Sequence, residues 1–243
     1  VVHSTSYFNV FNLKIIGKYK DIMILFFSTI NEIIPIINER KIFLIDIDKE
    51  RLKRQIDFII EIDKLKKVER KTTLIDRSRY ENVAEHSWHL VIMALLLWEH
   101  AKKEDMDLLK VIKMVTIHDL VEIDAGDTFA YDIEGYKDKN EREKRAADRI
   151  FSILPDDQAK EFYDLWKEFE IGETEESKLA NAIDRIQPML YNYYTEGGTW
   201  KKYNVSLEQV LKRFEGIKGS SDVLEKFAMN IIDKSVKKGY IHK

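Results

Sequence analysis

From about residue 52 onward, apolar residues recur at intervals of three and four, and little interrupts them. The 243-residue chain holds only 9 Gly and 3 Pro. Strands would need alternation with period two, and a turn-rich fold would need more Gly and Pro, so the pattern predicts an all-α protein, a helical bundle. The spacing predicts helices near 52–68, 82–102, 106–123, 138–153, 156–169, 175–194, 206–215 and 221–238. "GDTFAYDIEGY" and "TEGGTWKKYNVS" are the notable loops between them. With 44% hydrophobic and 34% charged residues, the chain can bury a sizeable core and keep a charged surface.

Residues 1–50 read differently. "DIMILFFSTINEIIPII" and "KIFLIDID" are rich in Ile and Phe but poorly patterned. Asn31 and Glu32 interrupt the first run, which leaves it too short to span a bilayer. Lys18 and Lys20 precede it, as in a signal peptide, but no small-residue cleavage site clearly follows. We therefore expect residues 1–50 to be an N-terminal extension, residues 51–243 to be the main domain, and the protein to be cytoplasmic with no membrane partner. The formal charge is −3, from 40 basic and 43 acidic residues, so no basic excess marks a nucleic-acid binder. No cysteine is present, which excludes disulfides and thiolate metal sites. Any metal must be held by His and carboxylate. The run "KDKNEREKRAADR" reads as a solvated helix face.

Several polar groups sit where apolar residues belong. His86 shares a helical stripe with Leu90, Met93 and Leu97. Val111, Val115, His118 and Glu122 share another, with Asp119 beside His118 and Asp127 just past Gly126. Asp184 lies between Ile183 and Arg185 in "LANAIDRIQPML". Taken singly, each has an ordinary explanation. A histidine can be a hydrogen-bonded core residue, an aspartate can pair with the adjacent Arg185, and Glu122 and Asp127 can cap a helix end. Burying several together is costly unless they converge on a cation. Neighbouring helical residues point about 100° apart, so His118 and Asp119 reach one ion only if it lies between their two directions.

His86, then His118-Asp119, then Asp184 resembles the signature of the HD-domain phosphohydrolases. "RSRYENVAEHSWHL", "IHDLVEIDAGD", "NAIDRIQPML" and "YNYYTEGGTWKKYNVS" look like the 5′-deoxynucleotidase branch, over about residues 53–240. The resemblance implies an all-α fold with a metal at the bottom of a pocket between helices. It implies hydrolysis of deoxyribonucleoside 5′-monophosphates to nucleoside and phosphate. Carried over residue by residue, it makes His86, His118, Asp119 and Asp184 the ligands of one divalent ion, among Mn, Co, Ni, Zn, Fe and Mg. It puts Glu122 and Asp127 at the substrate and the attacking water, and makes Arg70 the nearest match to the phosphate-contacting arginine. Family habit favours a homodimer. Where better-known members carry an aromatic residue soon after that arginine, this chain has "KTTL". Two other readings stay open: a cyclic-nucleotide or guanosine-polyphosphate phosphodiesterase, and a non-enzymatic metal-binding protein. The first would need more basic groups around the pocket than the motif itself supplies.

Pro188, four residues after Asp184, removes the donor for the Asp184 carbonyl and crowds it. We expect a kink there that turns Asp184 toward the metal.

Overall fold

The described chain enters on a helix, α1, that runs through residue 62 and tightens into a 3₁₀ turn at Asp63–Lys67. In this computed structural model, residues 48–103 and 105–242 are described, and the readings made for residues 1–47 lie outside them. A short antiparallel hairpin follows, β1 (Glu69–Thr73) and β2 (Tyr80–Asn82), with Glu69 opposite Asn82 and Thr73 opposite Tyr80. The rest is helical: α2 (Val83–Leu97), α3 (Leu108–Ile117), α4 (Glu122–Ala125), α5 (Lys139–Phe151), α6 (Asp156–Ile171), α7 (Glu175–Tyr194), α8 (Gly198–Lys202), α9 (Leu207–Phe214) and α10 (Asp222–Lys237).

Side chains set where these helices begin. Asn82 starts α2 with a capping box: its side chain accepts from the Glu85 N–H, and the Glu85 carboxylate accepts from the Asn82 N–H. Ser206 forms a second capping box at α9, and the side chains of Asp107, Thr174 and Ser221 accept from a first-turn N–H of α3, α7 and α10. Each such bond satisfies an N–H that the helix leaves without a partner, an effect worth about 1 kcal/mol. Gly172, at φ 69°, adopts the left-handed conformation that ends α6.

The core forms around α3, which packs on α2, α6 and α7. Val111, Met114 and Val115 of α3 meet a wall that includes Leu90 of α2 and Leu179, Ala180 and Ile183 of α7, all buried. Each such large apolar side chain contributes about 1.5–3 kcal/mol by leaving water. Helices α2 and α7 of this core carry His86 and Asp184, and His118 and Asp119 follow directly on α3. Pro188 lies inside α7 and does not end the helix, which continues to Tyr194. Among the described residues, no helix is long and apolar enough to cross a membrane.

Three local features depart from the periodicity. The hairpin occupies residues between the first two expected helices; "ERKTT" offers no apolar alternation to announce a strand. The helix expected at 106–123 is two α-helices joined by a 3₁₀ turn, His118–Val121. Helix α8 lies in a stretch expected to be loop, because Gly197 (φ 106°) serves as its N-terminal boundary rather than as a turn alone.

Candidate metal centre

The 3₁₀ turn sets the angles of the site. At three residues per turn, neighbours point about 120° apart and residues i and i+3 align. Asp119 therefore lines up with Glu122, whereas a regular helix would have aligned His118 with Glu122. His86 arrives from α2 at 0% exposure, and Asp184 arrives from α7.

The four side chains converge. His86 Nε2 is 3.0 Å from Asp184 Oδ1 and 3.7 Å from Asp119 Oδ2. His118 Nε2 is 3.1 Å from Asp119 Oδ2 and 3.7 Å from Asp184 Oδ1. The ligand atoms of His86, His118 and Asp119 lie within 4.8 Å of one another, a spacing that one metal ion can bridge. The donor set tests the fit. His118 Nδ1 faces the Val115 carbonyl at 3.1 Å, so that nitrogen carries the proton and donates it. Its Nε2 then presents a lone pair, buried and without a hydrogen-bond partner, to a carboxylate oxygen. Two facing lone pairs repel, and a cation between them turns the repulsion into ligation. Without a metal, a proton takes that place: burial opposes the charged ring, but Asp119 and Asp184 raise His118 to about 10. Burial and the Arg70 charge lower His86 to about 4, which keeps it a neutral donor. Nitrogen and carboxylate donors without sulfur suit the divalent ions named above.

A ring of charge surrounds these donors. Arg70 on β1 sits with Nη1 3.4 Å from Asp119 Oδ2 and 3.8 Å from Asp127 Oδ1, and with Nε 3.4 Å from Glu81 Oε2. Burial raises the Glu122 carboxyl well above its ordinary value, and the Asp119 and Asp127 charges add to that rise. Burial also raises Asp127, against the pull of Arg70. Asp127 follows Gly126, whose φ of 74° lets the chain leave α4 toward the site.

Of these groups Arg70, His118, Asp119, Glu122, Asp127 and Asp184 line a cavity of about 250 Å³. Phe129, Tyr131 and Trp200 give it an aromatic wall, with Trp200 Nε1 donating to the Tyr131 hydroxyl at 2.9 Å. Lys71, Lys139, Arg185 and Arg213 also line it. The motif itself supplies few basic groups, as expected, and these four come from outside it. The charged run "KDKNEREKRAADR" is not only a solvated face. Its Lys139 and Glu143 pair at 2.7 Å and line the cavity. Its Arg142 clips the segment between α4 and α5, donating to the Ala125 carbonyl, the Thr128 hydroxyl (3.2 Å), the Gly135 carbonyl (3.0 Å) and the Asp138 carboxylate (2.9 Å). Glu143, Ala147 and Ile150 form a buried stripe on α5, and that stripe is the signal that could have turned this end of the run inward.

Glu81 is a second omission. It is 1% exposed, accepts from Gln187 Nε2 at 2.6 Å, and places Oε2 3.8 Å from His86 Nδ1. One carboxylate thus stands behind both the first histidine and Arg70. Nothing in the helical periodicity marks it, since it lies on β2.

Comparison with known proteins adds the lineage. The family model described as "HD domain" matches residues 62–223. The chain belongs to the HD-domain family. A solved HD-domain relative, described as a predicted metal-dependent phosphohydrolase from Magnetospirillum magnetotacticum, is 47% identical with a TM-score of 0.77, covering 81% of this chain and 98% of its own. The curated relative 5′-deoxynucleotidase HDDC2 from Homo sapiens is 28% identical over 137 residues, 56% of this chain and 65% of its own length. The Xenopus laevis protein of the same name is 30% identical over 140 residues, 57% of this chain and 67% of its own length. The match therefore spans less than two thirds of the human relative.

Proposed function

We propose that this HD-domain chain is a metal-dependent phosphomonoesterase that hydrolyses deoxyribonucleoside 5′-monophosphates. One observation carries the reading: His86, His118, Asp119 and Asp184 gather within 3.0–3.7 Å contacts at a cavity that Glu122, Asp127 and Arg70 also line. A purely structural cluster would neutralise its charges internally, whereas this one leaves buried acids with raised pKa values beside an open cavity. The activity by which the curated relatives are named, and the phosphohydrolase description of the Magnetospirillum structure, support the same class.

His86, His118, Asp119 and Asp184 would hold the divalent ion. Bound there, the ion supplies neutralisation of phosphate charge and a more acidic water. This chain's residues do the rest. Arg70 orients the phosphate, and the Asp119 and Asp127 carboxylates hold its guanidinium in place. Glu122 takes the proton of the attacking water, as a buried carboxylate with a raised pKa is suited to do. Water oxygen bonds to phosphorus, the bond from phosphorus to the 5′ oxygen breaks, and that oxygen leaves with a proton as the nucleoside hydroxyl. Asp127 acts as a second acid or holds the ribose. The aromatic wall of Phe129, Tyr131 and Trp200 offers a face for the base.

The test is phosphate release from a panel of mononucleotides, cyclic nucleotides and pyrophosphorylated nucleotides. The protein is stripped with EDTA and resupplied separately with Mn, Co, Ni, Zn, Fe or Mg. Release from deoxynucleoside monophosphates, abolished by EDTA and restored by one of these ions, is the expected result. Turnover of cyclic substrates alone would overturn it. A homodimer is part of the proposal. Trp88, Ile92, Leu95 and Leu96 form an exposed apolar stripe along α2, which a second copy would cover.

A further inference from the structure

Of the five basic residues that line the cavity, Lys71, Arg185 and Arg213 make no ion pair among the described residues, and the last two are guanidiniums. Arg70 stands among carboxylates, and Lys139 is paired with Glu143 at 2.7 Å. Arg185 and Arg213 have no carboxylate within ion-pair reach among the described residues. Arg213 Nη1 donates to the Tyr136 hydroxyl at 3.3 Å, which leaves its charge uncompensated. Arg185 is held from behind: its Nη1 donates to the Asn181 carbonyl at 3.0 Å and to the Asn181 side-chain oxygen. A Cβ at Gly216 would collide with the Arg185 guanidinium, so the glycine leaves room for the group to lie there. Asn181 is itself tied to α6 through the Phe169 carbonyl at 2.7 Å. The guanidinium is therefore positioned by a scaffold, while its charge has no partner.

The pair is also mutually repulsive. The Arg213 charge bears on the Arg185 guanidinium, while Asp184 and Glu170 act from beyond ion-pair distance. Both arginines line the cavity of the metal centre. Two cations that line one cavity with no carboxylate in ion-pair contact form an arrangement that an anion stabilises, and a guanidinium matches phosphate oxygens in geometry. A nucleoside monophosphate, its one phosphate at the metal and Arg70, leaves this charge unused.

We infer that Arg185 and Arg213 form a second anion subsite, which takes a second phosphate group of a nucleotide substrate. This rests on the phosphomonoesterase reading for the metal centre. The second phosphate sits on the ribose or extends the 5′ phosphate chain, and both present the same chemistry to the two guanidiniums.

The test compares three substrates on the manganese-loaded full chain: a deoxynucleoside 5′-monophosphate, its 3′,5′-bisphosphate and its 5′-diphosphate. We expect one of the doubly phosphorylated forms to show a KM about tenfold lower than the monophosphate, the scale of one charge-assisted contact pair. Preference for the bisphosphate places the second group on the ribose, and preference for the diphosphate places it along the chain. Arg213→Gln should shrink that preference about tenfold, with Arg213→Lys in between because it keeps the charge but not the fork. Equal KM values for all three in the wild type would overturn the subsite, whatever the variants do. A preference that Arg213→Gln and Arg185→Gln leave intact would overturn it as well. If no substrate is hydrolysed, the phosphomonoesterase reading falls instead. The subsite is then decided by calorimetric titration of inorganic pyrophosphate into the EDTA-treated full chain, where binding equal in wild type and Arg213→Gln would sink it.

Discussion

Asp119 touches both histidines and the arginine of the site: His118 at 3.1 Å, Arg70 at 3.4 Å and His86 at 3.7 Å. Asp119→Ala should lose metal and activity together. A metal ion should raise the melting temperature of the wild type, since a ligand at 100 times its Kd stabilises by about 2.7 kcal/mol, and the same addition should leave the variant unmoved. Elemental analysis showing full metal content in Asp119→Ala would remove this residue from the ligand set. Glu122 invites a different substitution. Glu122→Gln keeps shape and polarity, so metal and fold should persist while kcat falls by roughly 10²-fold or more, the cost of losing a positioned base. KM should change little, because an interaction made mainly in the transition state appears in kcat. Asp127→Asn should instead raise KM if that acid holds the sugar. A wild-type kcat in Glu122→Gln would leave Asp127 as the better candidate for the base.

The hairpin of β1 and β2 is the element that gathers second-rank partners, since Arg70 and Glu81 come from its two strands. Burial pushes Glu81 up to about 7, although Arg70 pulls it down. Its folded value thus lies above the ordinary 4.5. The stability tied to its proton is present below pH 4.5 and is lost as the pH rises through about 7. Glu81→Gln never ionises, so its stability relative to wild type should improve across that window, by on the order of 2 kcal/mol. Urea denaturation at stepped pH in EDTA measures this, and parallel curves for the two proteins would refute it. Elements of this kind explain what the sequence hides. His86, His118 and Asp184 are legible because each breaks an apolar helical stripe. Helices α6 and α7 are legible because their stripes are long and their ends are marked by Gly172 and by the Thr174 cap. A two-strand pairing leaves no such period, so Glu81 goes unmarked. The 3₁₀ turn at His118 is equally silent, because it alters angles and not residue types.

At the scale of the molecule, the apolar stripe of α2 is a surface in need of cover, with Trp88 66% and Leu96 65% exposed. Leu96→Glu should convert a dimer to monomers in sedimentation velocity without loss of helical circular dichroism. A wild type that sediments as a monomer would refute the dimer. The cavity wall is a property of the whole fold, since Lys139, Arg185 and Arg213 come from α5, α7 and α9. Only tertiary packing brings them together, which is why no window of sequence contains the pattern. The Arg142 clip has a consequence for timing. The segment it fastens carries Asp127, Phe129 and Tyr131, and one guanidinium holds it at Ala125, Thr128, Gly135 and Asp138 together. A segment fastened in this way should open when one side chain lets go, so the dwell of a molecule bound in the cavity should depend on a residue that does not itself line it. Replacing that fork with the single point of a lysine should shorten the dwell, so that stopped-flow release of bound nucleoside becomes faster even where the chemical step is unchanged.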